Sequence, residues 1–187
     1  MEYEPIVITG AGCVSALGHS VEAFWSALQD GRCGLGKLDE SAPSDLKVSI
    51  VGAIPAPDPC HMLDARRLPM LDRFSVLAIV AAQQALAQSG LSLENDGHRT
   101  GCVVGVGTAG GEAIEELYRK IYLEGAKRAN VFTVPRVMPN APASQISMAY
   151  GIRGPVFTVS SACASSNHAI ATAVWLLRNS VIAMQRS

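Results

Sequence analysis

A β-rich run that ends on a thiol, just where a helical pattern begins, is the feature that most constrains this fold. Residues 156–159 favour a strand, and residues 164–177 are rich in helix formers with apolar side chains at helical spacing. Cys163 is therefore predicted at a helix start, where free N–H groups and the positive dipole end favour a thiolate and can bind an oxyanion. The alternative is a buried, inert cysteine. Four small neighbours leave room for an acyl group: Ser161, Ala162, Ala164 and Ser165.

The same strand-then-helix order recurs along the chain and predicts an α/β layered fold. Strands are predicted at residues 6–9, 47–53, 101–106 and 156–159, and helices at residues 21–29, 71–89, 112–123, 143–150 and 164–177. Gly31 and Gly90 end the first two helices. Residues 125–142 are predicted to be a loop that contains proline and asparagine. The proline-rich connection at residues 55–59 is too short for a domain boundary, so residues 1–187 are interpreted as one domain.

Composition narrows the class of protein. With 187 residues, 49% hydrophobic and 17% charged, the chain is predicted to be globular. A net charge of −1 gives no overall basic field for nucleic acid. Five cysteines without a CxxC pair or metal-like spacing favour a reducing compartment and no metal. No basic leader and no run of 18 apolar residues is present, so we expect a cytoplasmic protein that does not bind membranes.

A glycine motif at residues 105–110 follows a predicted strand and has the GxGxxG spacing of dinucleotide-binding turns. The acidic residue expected about 20 positions later is missing, because residues 129–131 are Ala-Asn-Val. Gly10 and Gly12 also follow a strand, but Ser15 stands where a third glycine is needed. We interpret these glycines as turn residues and not as a nicotinamide site.

Several motifs in order resemble the β-ketoacyl-acyl-carrier-protein synthases, closest to the elongating, condensing branch. Gly154-Pro155, the strand and the run from Ser161 to Ile170, with His168, are similar to the nucleophile segment of that family. Further similar motifs are residues 6–18, 24–34, 72–74, 105–111, 139–140 and 150–155. The resemblance implies a thiolase-like fold of two similar αβαβα halves, each with a mixed five-stranded sheet. This chain covers the N-terminal half.

The resemblance also implies site residues. Cys163 is the implied nucleophile, and Gly107, Thr108 and Thr133 line the implied acyl pocket. Thr108 and Thr133 are smaller and more polar than the residues that commonly gate chain length in fatty-acid synthases of this family. Basic clusters at Arg66, Arg67, Lys127 and Arg128 would meet acyl carrier protein, although an ordinary solvated surface is the alternative. Phosphopantetheine would arrive on the carrier, so no resident cofactor is expected.

The implied reaction is decarboxylative Claisen condensation of an acyl-Cys163 thioester with malonyl-carrier protein, in fatty-acid or polyketide elongation. The family's two histidines and lysine belong to its second half. His168 follows Cys163 by five residues, about 500° of helical rotation, so the two side chains do not share a face. We interpret His168 as a packing or hydrogen-bonding residue. This chain alone is expected to be inactive in condensation.

Two alternatives remain open: a non-catalytic subunit of the chain-length-factor type, or a fragment that only binds or dimerises. A homodimer or a heterodimer with a second synthase-like chain is implied, with residues 156–160 at the contact.

Overall fold

The computed structural model describes residues 5–38, 46–55, 63 and 66–179. The helices are α1 (Val21–Gln29), α2 (Arg73–Ser89), α3 (Leu93–Asp96), α4 (Gly111–Tyr118), α5 (Thr133–Val137), α6 (Ala141–Tyr150) and α7 (Ser165–Arg178). The strands are β1 (Gly36–Lys37), β2 (Ile50–Val51), β3 (Cys102–Gly105) and β4 (Val156–Val159). A π-helical turn, Arg119–Leu123, continues α4, and a 3₁₀ turn, Ala162–Ala164, precedes α7.

Strands β3 and β4 form a parallel pair between two helical layers. Their register runs from Cys102 opposite Val156 to Gly105 opposite Val159. Because side chains alternate along a strand, the two faces of β3 meet different helices. Cys102 and Val104 pack against the hydrophobic core below, whereas Val103 lines a cavity of about 310 Å³ with side chains of α7. The α/β layering predicted from the sequence is therefore present.

The core lies on the α2 and α6 side of the pair. Its buried members are Leu63, Leu71, Ile79, Val80, Ile146 and Ile152. Helix α2 contributes Ile79 and Val80 to this core, whereas of the stripe predicted from the sequence only Ala78 and Ala82 pack against it, partly buried. The packing of α2 and α6 beneath β3 fixes the position of this strand and of residues 107–108, which follow it.

Helix ends follow local sequence signals. The Ser20 side chain accepts a hydrogen bond from the N–H of Ala23 at the start of α1, and Gly31 beyond its end has a φ of 64°. Helix α2 begins after Asp72, whose carboxylate accepts from the N–H of Phe74, and ends at Gly90 with a φ of 66°. The predicted bounds of α1 are confirmed, and those of α2 are correct apart from the first two residues.

Three predicted elements differ from the structure. Residues 6–9 form no strand, and no described strand pairs with them. Val7 and Ile8 are 70% and 92% exposed, and not buried as the prediction requires. The second predicted strand, residues 47–53, shortens to the two residues of β2. Helix α5 lies inside the predicted loop, with Pro135 in its first turn, where a missing N–H costs little. The described strands are therefore two pairs and not the five-stranded sheet that the resemblance implied.

Among the described helices, none is by itself both long and apolar enough to cross a bilayer. Helix α2 and residues 93–99 meet the length and composition criteria only as a pair that is bent by 105°.

Candidate active site

The thiol of Cys163 lies on a tight turn between β4 and α7. Strand β4 ends at Val159, the 3₁₀ turn spans Ala162–Ala164, and α7 begins at Ser165. Cys163 is exposed and lies two residues before the first residue of α7. The strand-to-helix junction predicted from the sequence is present, with a 3₁₀ turn between its two parts.

The residue before the thiol has an unusual backbone. Ala162 has a φ of 51°, and among the described residues it is the only one other than glycine with a positive φ. A left-handed conformation costs a non-glycine residue roughly 1–2 kcal/mol. Strained backbone of this kind persists only where surrounding contacts enforce it. The turn therefore needs anchors, and the neighbouring side chains supply them.

Ser165 is the main anchor of the turn. Its hydroxyl accepts a hydrogen bond from the N–H of Ser161 at 2.9 Å. The same hydroxyl lies 2.7 Å from the carbonyl oxygen of Ala162 and 3.2 Å from that of Val106, so its proton faces both acceptors. Ser165 is 3% exposed and joins the turn to the end of β3. Sequence reasoning treated it only as a small neighbour.

His168 forms a second contact to the same turn. Its Nδ1 lies 2.6 Å from Oγ of Ser161, and both residues stand on the side of the turn that faces solvent. The hydroxyl of Thr172 donates to the carbonyl of His168 at 2.7 Å. The interpretation of His168 as a hydrogen-bonding residue agrees with this geometry.

The glycines of residues 105–110 serve close packing. A Cβ added to Gly105 would lie 2.5 Å from the carbonyl carbon of Ser165, so only glycine allows β3 to approach the start of α7 this closely. A Cβ on Gly107 would lie 3.4 Å from the carbonyl oxygen of Ala162. Gly110 has a φ of 65° and packs against Val137 of α5. Close packing thus explains Gly105 and Gly110, whereas a Cβ on Gly107 would make only an ordinary van der Waals contact.

Gly10 and Gly12 also serve packing, against α2. Added Cβ atoms would lie 2.0 Å from the carbonyl oxygen of Ala85 and 1.9 Å from that of Ala81. Side chains of α2 hold the same segment, because Gln88 and Gln84 accept from the N–H groups of Ala11 and Cys13.

Two of the three predicted pocket residues lie next to the turn that carries Cys163. Gly107 and Thr108 are exposed and follow β3, and Gly107 faces Ala162. Thr133 is 8% exposed and begins α5, where its N–H donates to the carbonyl of Asn130. The contact between Gly110 and Val137 joins the segment of Gly107 and Thr108 to the helix of Thr133.

The predicted basic clusters lie in two exposed regions. Lys127 and Arg128 are exposed in the loop after the π-helical turn. Arg66 is exposed and Arg67 half-buried in the turn that precedes residues 68–70. The neighbouring Arg73 is engaged elsewhere, since it contacts the carbonyl oxygen of Ile54 and lies 3.9 Å from Glu112.

Asp72 and Glu116 are site-supporting carboxylates that the sequence reasoning missed. Asp72 is 3% exposed and accepts from the N–H of Phe74 and, at 2.8 Å, from that of Ala113, which joins α2 to α4. Glu116 accepts from Lys120 at 2.6 Å and from Arg136 at 2.7 Å. These two hydrogen bonds, with the nearby positive charges, lower the pKa of Glu116 to about 2. The position of Asp72 before an apolar helix indicated that it could be a helix cap. No local sequence pattern indicated the role of Glu116.

The thiols of Cys102 and Cys163 differ in burial. Desolvation raises the pKa of the Cys102 thiol to about 11, because the charged thiolate is disfavoured beneath the sheet. Cys163 lies in the opposite setting, exposed at a helix start. In the described part of the chain, no cluster of three or more His, Cys, Asp or Glu side chains could hold a metal ion.

Comparison with known proteins agrees with this geometry. Residues 3–184 match the family model of the β-ketoacyl synthase N-terminal domain. Nodulation protein E of Rhizobium sp. (strain N33) is 47% identical over 174 residues, which are 92% of this chain and 43% of that protein. The 3-oxoacyl-[acyl-carrier-protein] synthase 2 of Coxiella burnetii (strain RSA 493 / Nine Mile phase I) is 30% identical over 95% of this chain and 43% of its own length.

A solved structure shows the same fold. It is a type II polyketide ketosynthase bound to a hexaketide and in complex with its acyl-carrier protein. It superposes with a TM-score of 0.78 at 27% identity, over 94% of this chain and 48% of that one. The chain thus spans less than half the length of the relatives that it matches. It belongs to the β-ketoacyl synthase family, whose N-terminal domain it matches and whose thiolase-like fold it shares.

Proposed function

We propose that this chain supplies the acyl-accepting nucleophile of a decarboxylative Claisen condensation in fatty-acid or polyketide elongation. The observation that carries the proposal is the placement of Cys163, an exposed thiol on a strained turn directly before a 14-residue helix. Membership of the condensing-enzyme family supports the reaction class. The exposed thiol favours this role over that of a non-catalytic subunit.

The proposed reaction has two half-reactions. In the first, the Cys163 thiolate attacks an acyl thioester, a C–S bond to Cys163 forms, and the phosphopantetheine thiol of the carrier leaves. In the second, malonyl-carrier protein loses CO₂, and its carbanion attacks the acyl-Cys163 carbonyl. A C–C bond forms, the bond to Cys163 breaks, and β-ketoacyl-carrier protein is released. We propose that unpaired N–H groups in the first turn of α7 stabilise the oxyanion of each tetrahedral intermediate.

The two half-reactions need different groups. Acylation needs chiefly the Cys163 side chain and the helix behind it, and this chain contains both. Decarboxylation needs the histidines and lysine that the family carries outside the matched region. We therefore propose that the 187-residue chain alone is acylated weakly at Cys163 and does not condense. Release of β-ketoacyl product by the purified 187-residue chain would overturn this statement.

The proposal assigns Gly107, Thr108 and Thr133 to the acyl pocket and Arg66, Arg67, Lys127 and Arg128 to the carrier surface. The pocket assignment is supported by the contact that joins α5 to the segment after β3. The carrier assignment is supported by the exposure of Lys127 and Arg128. We further propose a cytoplasmic dimer with β4 at the subunit contact. The odd number of cysteines and the lack of a CxxC pair in the sequence support a reducing compartment.

Acyl transfer to a single thiol is the decisive test. The protein is incubated with an acyl-carrier thioester and its intact mass is measured. We expect one acyl adduct on the unaltered protein and none on Cys163→Ala. Cys33→Ala is the matched control, because Cys33 is also exposed but lies outside the site. An adduct that persists in Cys163→Ala and disappears in another cysteine variant would refute the proposal.

Charge reversal tests the carrier surface. Glutamate at Arg66, Arg67, Lys127 and Arg128 should slow transfer from acyl-carrier protein, because the carrier presents an acidic surface. Alkylation of Cys163 by iodoacetamide should stay unchanged in the same variant. A parallel loss of both reactions would show that the basic side chains are structural.

A further inference from the structure

Helix α5 is fastened to α4 by one ion pair with an almost buried arginine. Nη1 of Arg136 lies 2.7 Å from Oε2 of Glu116, and the Arg136 side chain is 12% exposed. The other oxygen of the same carboxylate, Oε1, accepts from Lys120 at 2.6 Å, but Lys120 is 40% exposed and belongs to the segment that continues α4. Of the two cations that pair with Glu116, only Arg136 belongs to α5 and joins it to α4.

The contact lies beside the proposed acyl pocket. Arg136 follows Thr133 by three residues on the same short helix, so the two residues move together. The next residue, Val137, packs on the backbone of Gly110, where an added Cβ would lie 2.4 Å from its Cα. Gly110 directly precedes α4 and ends the segment that carries Gly107 and Thr108. The ion pair and the contact between Val137 and Gly110 together hold α5, which carries Thr133, against the segment that carries Gly107 and Thr108.

Helix α5 is short and partly exposed. It is five residues long, carries Pro135, and has an exposed apolar side chain at Val134, and Met138 just beyond its end is exposed as well. A helix this short is not stable by itself, so its position depends on tertiary contacts. A charge-assisted hydrogen bond from a nearly buried guanidinium is the strongest kind of contact that it makes.

We propose that Arg136 is a specificity-determining positioning residue, which, through Glu116, fixes the wall that Thr133 contributes and so sets the acyl chain length accepted at Cys163. This inference rests on the proposed function, since it assigns Thr133 to the acyl pocket. It does not need Arg136 to touch the substrate. It predicts that removal of the ion pair changes which chains are accepted more than it changes the reactivity of the thiol.

Two matched variants distinguish the loss of the link between α4 and α5 from the loss of a positive charge beside Glu116. Arg136→Met removes the guanidinium and keeps an unbranched side chain, whereas Lys120→Met removes the other cation of the same carboxylate without touching α5. Hydrogen exchange at residues 136 and 137 should accelerate about tenfold in Arg136→Met, the factor expected for one lost charge-assisted hydrogen bond. It should change less than about twofold in Lys120→Met, because exposed pairs contribute little.

Chain-length preference is the functional readout. Acylation of Cys163 by short and long acyl-carrier thioesters is followed by intact mass. The ratio of the two rates should shift by about threefold or more in Arg136→Met and stay constant in Lys120→Met. Glu116→Gln keeps the shape of the acceptor without its charge and should shift the ratio in the same direction. Arg136→Lys should restore part of the original preference.

The outcomes are distinguishable. If exchange accelerates but the ratio of rates does not move, the ion pair is only structural and the inference is wrong. If neither changes, Arg136 does not position α5. If the unaltered protein takes no acyl group, the proposed function fails together with the claim on specificity, while the exchange data still decide whether the ion pair holds α5. If Arg136→Met does not fold, Glu116→Gln decides between these results.

Discussion

Gly105→Ala displaces the start of α7 without altering any side chain of the turn that carries Cys163. The added Cβ would lie 2.5 Å from the carbonyl carbon of Ser165 and 2.6 Å from the backbone nitrogen of Ser166. Ordinary van der Waals contact begins at 3.4 Å, so β3 and the start of α7 must separate by about 0.9 Å. Both obstructing groups are backbone atoms and cannot rotate away. The start of α7 has to move, and the Cys163 turn moves with it.

The magnitude follows from that displacement. Overpacking of this kind costs about 1–3 kcal/mol. For a domain of this size each kcal/mol lowers the melting temperature by roughly 2–4 °C, so a decrease of about 4–8 °C is expected for 2 kcal/mol. A misplacement near 1 Å can cost about 10²-fold in rate. Acyl transfer to Cys163 should fall by about that factor.

Thermal unfolding and acylation are measured together, with Gly111→Ala as the control. Gly111 begins α4, and an added Cβ there meets no atom within 4 Å. Its substitution should leave acylation unchanged and should not lower the melting temperature, because alanine has the higher helix propensity. If Gly105→Ala behaves like Gly111→Ala in both assays, β3 does not position the thiol of Cys163.

Three other perturbations test separate contacts. Asp72→Ala removes the cap of α2 and leaves the buried N–H of Ala113 without its acceptor. In urea unfolding, the free energy of unfolding should fall by about 2–4 kcal/mol, against about 1 kcal/mol for Ser20→Ala, which removes only a helix cap. The lowered pKa of Glu116 means that its stabilisation is complete above its ordinary value of 4.5 and is lost as the pH falls towards 2. Between pH 5 and 2 the free energy of unfolding should therefore decrease by about 1–2 kcal/mol more in the unaltered protein than in Glu116→Gln, and equal decreases would contradict the pairing. Cys102, with a pKa raised to about 11, should be alkylated by iodoacetamide at pH 8 far more slowly than Cys163, which peptide mass spectrometry can check.

Local signals in the sequence were sufficient for the longer helices. Ser20 and Gly31 bracket α1, and Asp72 and Gly90 bracket α2, because caps and left-handed glycines act within a few residues of the chain. The strand-to-helix junction at Cys163 was predictable from the β-rich run before it and the helical spacing of apolar residues after it. Helix α5 was not, since Pro135 and Pro139 read as loop signals and the contacts that stabilise it come from α4.

Long-range contacts explain what the sequence could not show at the site. Ser165 reaches Val106 across 59 residues of chain, and Asp72 reaches Ala113 across 41. Residues 6–9 have the composition of a strand, but a strand also needs a hydrogen-bonded neighbour, which composition does not reveal. The carrier and pocket residues stay predictions, because the motifs that indicate them describe chemistry and not the geometry of a complex.

The left-handed backbone of Ala162 has a consequence for mutational tolerance at the position before the thiol. In a saturation library, glycine should be accepted freely and asparagine and aspartate with little loss, because these residues adopt positive φ most readily. Valine, isoleucine and threonine should be rejected even though they differ from alanine by only a few atoms. Substitution tolerance at position 162 would thus follow backbone preference and not side-chain volume or polarity.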